Sequence, residues 1–302
     1  MSEMKSHFAK LRERPAPFYA NINMLGRCNA NCFFCLGKDL NLEFAKYNTQ
    51  RTHHTQWPRW TFFLERAKAL GIVPIYLTGQ NTDALLYPNL TDLSRDLRAL
   101  GHSPGLRTNG FLALQRMAEI NTFDRVGYSI HTFNPDTQFK IMGVRTVPDW
   151  ADILAQTKTK RKRISVVLTT HNQNDLMRII EFAVDHKVDY VQVRKVCTDA
   201  RFEEMLPHAL VWEETLKQMS RDYVPIDSFE RAPIFDVNGV KVVMWKTVGT
   251  SASSINYFTN GVLSENYFVI EGYGQQVGIN PESRDFLNRD PLTFPWWVKH
   301  ET

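Results

Sequence analysis

The sequence is poor in cysteine, with four in 302 residues. A small secreted scaffold stapled by disulfides needs more of them on a shorter chain, and is excluded. No apolar run reaches the ~18 residues that cross a bilayer as a helix, so no membrane-spanning segment is expected. The opening stretch MSEMKSHFAKLRERP has no apolar core of the kind a secretory signal carries, and the expected location is the cytoplasm. There are no internal repeats and no low-complexity linker, and the overall composition is not that of a disordered chain. The nine histidines form no HExxH pair. Charge of neither sign dominates, since 36 Lys and Arg against 32 Asp and Glu leave +4. That balance permits an anionic substrate or a nucleic acid and demands neither.

Hydrophobic residues make up 43%, enough for a sizeable core. Their period changes along the chain. Residues 18–24, 72–78, 106–108, 126–130, 164–170 and 190–196 read as strands. Residues 57–70, 88–100, 111–120, 149–156, 175–186 and 207–219 read as helices, with Asn174 a helix cap and Pro207 in a first turn. Six strands alternating with helices predict a parallel sheet of right-handed βαβ units. The pattern then changes. Residues 234–237 and 240–245 flank Asn238-Gly239 and predict a hairpin. Tyr257-Phe258, Asn260-Gly261 and Val262-Leu263 suggest a second, and 267–270 and 276–279 further short strands. The expected organisation is an N-terminal segment (1–15), an α/β core (16–220) and a β-rich C-terminal extension (221–302) covering the barrel mouth.

Three of the four cysteines, Cys28, Cys32 and Cys35, fall in the run RCNANCFFCL directly after the first strand. Three thiolates on one loop suit three corners of a [4Fe–4S] cube, and leave the fourth iron open. Open coordination is what catalytic metal sites keep. A structural zinc wants four ligands, usually in C-x2-C pairs, and no second pair exists here. Zinc binding and buried structural cysteines stand as the alternatives.

This C-x3-C-x2-C run, with the aromatic Phe34 before its last cysteine, resembles the signature of the radical S-adenosylmethionine (SAM) enzymes. The resemblance extends over roughly residues 16–220. It implies a partial (β/α)6 barrel with one [4Fe–4S] cluster whose open iron is chelated by SAM. It implies reductive cleavage of SAM to methionine and a 5′-deoxyadenosyl radical, which abstracts a substrate hydrogen. The family's Gly-Gly-Glu-Pro turn after the second strand corresponds to Gly79-Gln80-Asn81-Thr82-Asp83. One register puts Asp83 at the glutamate position with Thr82 before it; the other starts the motif at Gly79-Gln80. Arg107-Thr108-Asn109-Gly110 matches the family's Thr-Asn-Gly, so Thr108 and Asn109 join the SAM-binding set. Ser129 matches a serine that contacts the SAM carboxylate or ribose, and Arg145 lies where some relatives place a carboxylate-binding arginine. His131 reads as a structural or pocket histidine. Thr169, His171 and Asn172 should emerge at the top of the fifth strand, and Gln192 and Arg194 should face opposite the valines of the sixth. Cys197 follows the sixth strand. It is either a hydrogen-atom donor to a substrate radical or a small buried hydrophobe. No cysteine follows it, so no auxiliary cluster is expected. With 27 residues ahead of Cys28, no upstream cobalamin domain is expected either.

The basic run 158–163 immediately precedes the fifth strand, which puts it at the bottom of the barrel, away from the cysteines. The aromatics Tyr257, Phe258, Tyr267, Phe268, Tyr273, Phe294, Trp296 and Trp297 serve either as packing or as a stacking surface for a base. The chain also resembles bacteriophage-type radical SAM proteins that hypermodify DNA bases, including isomerisation of an amino-acid-substituted thymidine. The expected partners are thus a small-molecule or nucleotide substrate, with DNA included, and a flavodoxin- or ferredoxin-type electron donor. The competing readings are a small metabolite (sugar, amino acid or nucleoside) as substrate, and a non-catalytic iron–sulfur or zinc scaffold.

Anaerobic reconstitution is expected to load about four irons per chain. Alanine at Cys28, Cys32 or Cys35 abolishes that loading and Cys197→Ala preserves it, as read by iron analysis and visible absorption. Zinc uptake with no iron–sulfur absorption overturns the cluster.

Overall fold

The structure, a computed structural model, describes residues 19–39, 46–196, 201–229, 232–246 and 254–264. The N-terminal segment 1–15, Cys197 and the strands expected at 267–270 and 276–279 lie outside the described residues, as do Tyr267, Phe268, Tyr273, Phe294, Trp296 and Trp297.

Six parallel strands form the wall of a partial barrel: β1 (Tyr19–Leu25), β2 (Pro74–Gln80), β3 (Ser103–Thr108), β4 (Arg125–Ser129), β5 (Arg161–Val167) and β6 (Tyr190–Arg194). Their pairing is sequential and parallel throughout. Such pairs need crossovers. Among the described residues these include α1 (Trp60–Ala69), α2 (Leu90–Ala99), α3 (Met117–Ile120), α4 (Pro135–Met142), α5 (Trp150–Gln156) and α6 (Leu176–Asp185). The helices present apolar stripes: Leu90, Leu93 and Leu97 of α2 are buried, as are Leu176, Ile179, Ile180 and Ala183 of α6. They pack onto the alternate strand residues Ile22, Ile75, Leu77, Leu106, Val126, Ile164, Val166, Val191 and Val193, all in one core. The other strand face looks into the barrel and is polar.

Several elements differ from the sequence reading. Helix α3 is a single turn preceded by turns, because Asn109-Gly110 and the chain after it fold back before any helix starts. Helix α4 has no apolar period long enough to notice, yet its ends carry clear signals. The Asn134 carboxamide caps the Asp136 and Thr137 N–H groups, Pro135 starts the helix, and Gly143 ends it at φ 70°. Helix α7 (Phe202–Asp222) begins five residues before Pro207, which lies inside it. The strand β7 (Pro225–Phe229) was not anticipated; its proline and aspartate are tolerable because it is the sheet edge.

The expected hairpin is present as β8 (Ala232–Val237) and β9 (Val240–Trp245), with Asn238 and Gly239 both at positive φ, as a type I′ turn requires. The second hairpin is β10 (Ser254–Phe258) with β11 (Leu263–Ser264). These strands continue the barrel wall rather than form a separate layer. Strand β9 lies parallel beside β6, and β10 lies parallel beside β1, giving one sheet of 11 strands.

Tyr257 anchors the β10 closure. Its ring stacks on Phe63 at 4.8 Å and its hydroxyl donates to the Pro58 carbonyl at 2.7 Å. Tyr257→Ala should cost about 3–5 kcal/mol, and Tyr257→Phe about 1 kcal/mol, in urea unfolding. Equal losses would mean that the hydroxyl, not the ring, holds this edge.

Candidate functional site

The C-terminal ends of parallel strands in α/β barrels leave backbone groups and loops free to build a site. Here the loop after β1 brings Cys28, Cys32 and Cys35 to that end. It has little regular structure of its own and is held from outside. The last turn of α4 has carbonyls with no intrahelical donor. Two of them, on Met142 and Ile141, accept the N–H groups of Asn31 at 2.8 Å and Phe33 at 3.1 Å. Arg201, at the start of α7, donates to the carbonyls of Phe33 at 2.6 Å and Cys35 at 3.2 Å. Asn109, after β3, donates its side-chain amide to Asn29 Oδ1 at 2.7 Å and to Cys28 Sγ at 3.8 Å. A β-carbon on Gly37 would sit 2.4 Å from the Asn81 backbone nitrogen, so the loop also lies directly on the turn after β2.

The three thiols are free, half-buried, and open onto one cavity. Burial first, then the nearby Asp83 and Cys35 charges, push the Cys28 thiol up to about 11. Burial likewise raises Cys32 and Cys35. Bare thiols in such a place stay protonated; the positive charge of bound metal is what releases their protons. No three His, Cys, Asp or Glu side chains among the described residues converge tightly enough for a single ion. Three thiols at one strand end, opening onto one cavity, supply three corners of a four-iron cube. The donor set fits the cluster.

The turn after β2 is Gly79–Asp83. Its tightness requires Gly79: a β-carbon there would lie 2.0 Å from the Thr82 carbonyl oxygen. Asn81 takes a left-handed φ of 57°. Gln80 points into the barrel and donates to Asn23 at 3.4 Å. Thr82 donates to the Arg27 carbonyl at 3.0 Å and is met by the Gln50 amide, which also bonds Arg27 at 2.7 Å. Asp83 is buried, and three donors occupy its carboxylate: the Thr108 hydroxyl at 2.8 Å, the Leu85 N–H at 2.9 Å and the Asn109 N–H at 2.7 Å. Burial raises its carboxyl above the usual range against the pull of those bonds. Asp83 thus joins the turn to the end of β3.

Phe34, Gly79, Gln80, Thr82, Asp83, Thr108, Asn109, Ser129 and Arg194 border the same cavity as the three thiols. His131 borders it too. Its Nδ1 accepts the Val167 N–H at 3.2 Å, which puts the proton of the neutral ring on Nε2, and its ring meets Phe34 edge-on at 5.3 Å. Three expected residues do not border the cavity: Asn81 lies against Gly37, and the other two are elsewhere. Arg145 is exposed and paired with Asp136 on the surface. Thr169 is fully buried and bonded to Asn172, closing the turn after β5. Arg201, Gln50 and Lys195 belong to the site's surroundings without any motif to announce them. Arg201 reaches a carbonyl 166 residues away, and no local pattern encodes that.

The profile of the Radical SAM superfamily matches residues 22–183. The chain belongs to the radical SAM superfamily. It is a radical SAM enzyme, with a [4Fe–4S] cluster and SAM as its cofactors. A GTP 3′,8-cyclase of Limosilactobacillus fermentum is 25% identical over 93% of this chain and 78% of its own length. A GTP 3′,8-cyclase of Crocosphaera subtropica (27%) and a PqqA peptide cyclase of Streptomyces rochei (26%) match over 56% and 59% of this chain and about half their own lengths. The crystal structure of Streptococcus suis SuiB bound to S-adenosylmethionine shares the fold, with a TM-score of 0.62 and 16% identity over 95% of this chain and 70% of that one.

Burial and then the Arg194 charge hold the His131 imidazole down at about 3. A histidine in the unfolded chain takes its proton near pH 6.5, so between these values only the unfolded state binds it. The stability this contributes is full above about pH 6.5 and is lost as pH falls toward 3. His131→Gln should flatten the decline of the urea midpoint between pH 7 and 4; an unchanged slope assigns the acid sensitivity to another group.

Proposed function

We propose that this enzyme takes a hydrogen atom from a small organic substrate seated inside the barrel, beneath the cysteine loop. The observation that carries this is the single cavity running from Cys28, Cys32 and Cys35 past the Gly79–Asp83 turn to Arg107, Arg163 and Arg194. When bound, the reduced cluster and SAM supply a 5′-deoxyadenosyl radical at the top of that cavity. Cys28, Cys32 and Cys35 would ligate the cluster, and Phe34 lines the cavity beside them. The Asn109 amide donates toward the Cys28 sulfur and stabilises its thiolate. The turn from Gly79 to Thr82 would offer backbone groups to the methionine amino group, and Gly79 permits that turn by leaving room for the Thr82 carbonyl. Asp83 is a positioning residue, since its oxygens are already engaged by Thr108, Leu85 and Asn109. Ser129 and Arg194 hold the SAM carboxylate and ribose. Outside the barrel, a flavodoxin- or ferredoxin-type protein delivers the electron.

For the substrate we favour a nucleotide, on the likeness to GTP 3′,8-cyclases over 93% of this chain. A DNA base gains nothing from the basic run, because Arg161 opens β5 at the end of the barrel away from the cysteines and Lys160 pairs with Asp124 there.

Reduced, reconstituted enzyme should convert SAM to 5′-deoxyadenosine, and a deuterated substrate should pass its label into that product. Ser129→Ala should weaken SAM binding about ten- to a hundredfold with iron content unchanged. Absence of 5′-deoxyadenosine overturns the reading; unaltered SAM affinity removes Ser129 from it.

A further inference from the structure

None of the strands β1 to β6 contains an aspartate or glutamate, yet β3 to β6 carry five arginines. All five, Arg107, Arg125, Arg161, Arg163 and Arg194, have the parity of the face that looks into the barrel, since alternate residues share a face. Two of them sit in one row across three strands: Arg107 is directly opposite Gly127, and Gly127 directly opposite Arg163. Their Cα atoms are thus about 10 Å apart, close enough for both long side chains to reach one group between them. Gly127 makes this approach feasible, because a β-carbon there would lie 2.7 Å from the Arg163 guanidinium. Arg163 donates to Gln192 at 2.8 Å, and Arg107 lies 4.5 Å over the Tyr76 ring. Beneath them Arg125 reaches the Tyr76 hydroxyl at 3.4 Å. Burial would push the Tyr76 phenol up, but Arg125, Arg107 and Arg163 more than reverse it, which marks the positive potential of this chamber. The single carboxylate among the described residues around the cavity, Asp83, is the one already held by three donors.

We propose that Arg107 and Arg163, converging across Gly127, form a subsite for an oxyanion of the substrate, a phosphate or a carboxylate. This rests on the reading of the barrel as the substrate chamber. Two planar guanidiniums suit such a group by bidentate hydrogen bonds, and a cationic substrate would meet like charge on every side. Ser129 stands two residues further along β4, about 7 Å nearer the cysteine loop. An anchored oxyanion therefore leaves the carbon skeleton of the substrate between the arginines and the SAM-binding level, where a hydrogen is to be taken.

The test uses reconstituted enzyme with SAM, titrated calorimetrically with inorganic phosphate, malonate and uncharged malonamide. Wild type should bind phosphate or malonate and not malonamide. Arg163→Gln and Arg107→Gln should each weaken anion binding about tenfold or more, with Arg163→Lys intermediate. Stronger phosphate binding assigns the oxyanion to a phosphorylated substrate, stronger malonate binding to a carboxylic acid. If R163Q does not fold, Gly127→Ala decides, since it displaces the guanidinium without removing its charge and should weaken binding as well. The subsite is overturned if wild type binds neither anion, or if these variants bind as tightly as wild type. Wild-type SAM cleavage is assayed separately: anion binding without cleavage defeats the radical reading and leaves the subsite, and cleavage without anion binding does the reverse.

Discussion

The cysteine loop takes its shape from groups beneath it, and these meet at one buried carboxylate. Asp83 accepts from Leu85 in its own turn and from Thr108 and Asn109 at the end of β3. The same Asn109 then holds Asn29 and Cys28 in the loop. Three strand ends are thereby locked to one another. A buried carboxylate costs free energy unless its oxygens are satisfied, and three donors at hydrogen-bond distance satisfy these. The loop has further anchors in Arg201, the end of α4, and the Thr82 and Gln50 side chains on the Arg27 carbonyl.

The barrel divides polarity in an unusual way. In closed α/β barrels, bulky branched side chains fill the interior. Here the branched residues face outward to the helices, while glycine, serine, tyrosine and arginine face inward. Gly105 and Gly127 leave room for the Tyr76 ring and the Arg163 guanidinium. The strands flanking β1 and β6 lengthen the wall, so this polar interior is enclosed without being filled.

This division separates what the superfamily shares from what distinguishes its members. The matched relatives carry different names, nucleotide cyclase and peptide cyclase, on a common chemistry. In this chain the thiols, the turn after β2 and Asn109 meet at the strand ends, while the inward strand residues line the cavity below them.

The ligand loop was legible because its spacing is local: three cysteines within eight residues of one loop need no tertiary contact to be recognised. The strand–helix alternation was legible for the same reason, as was the Asn238-Gly239 turn. Helix α4 lay in plain signals of cap and stop, which an apolar period of only eight residues was too short to reinforce. Arg145 matched a position by order along the chain and proved to be on the surface, because order does not say which side of a helix end a side chain takes. Other features needed the folded sheet. Asn21 bonds Asn256 across 235 residues, where β10 lies beside β1. Arg201 finds the cysteine loop, Asp83 accepts from the end of β3, and Arg107 and Arg163 fall in one row across Gly127. The amino-acid sequence alone determined the metal-binding chemistry and the alternating architecture, since both are written in short-range spacing. Only the tertiary structure decided which charges share the chamber, since strand register sets those neighbours.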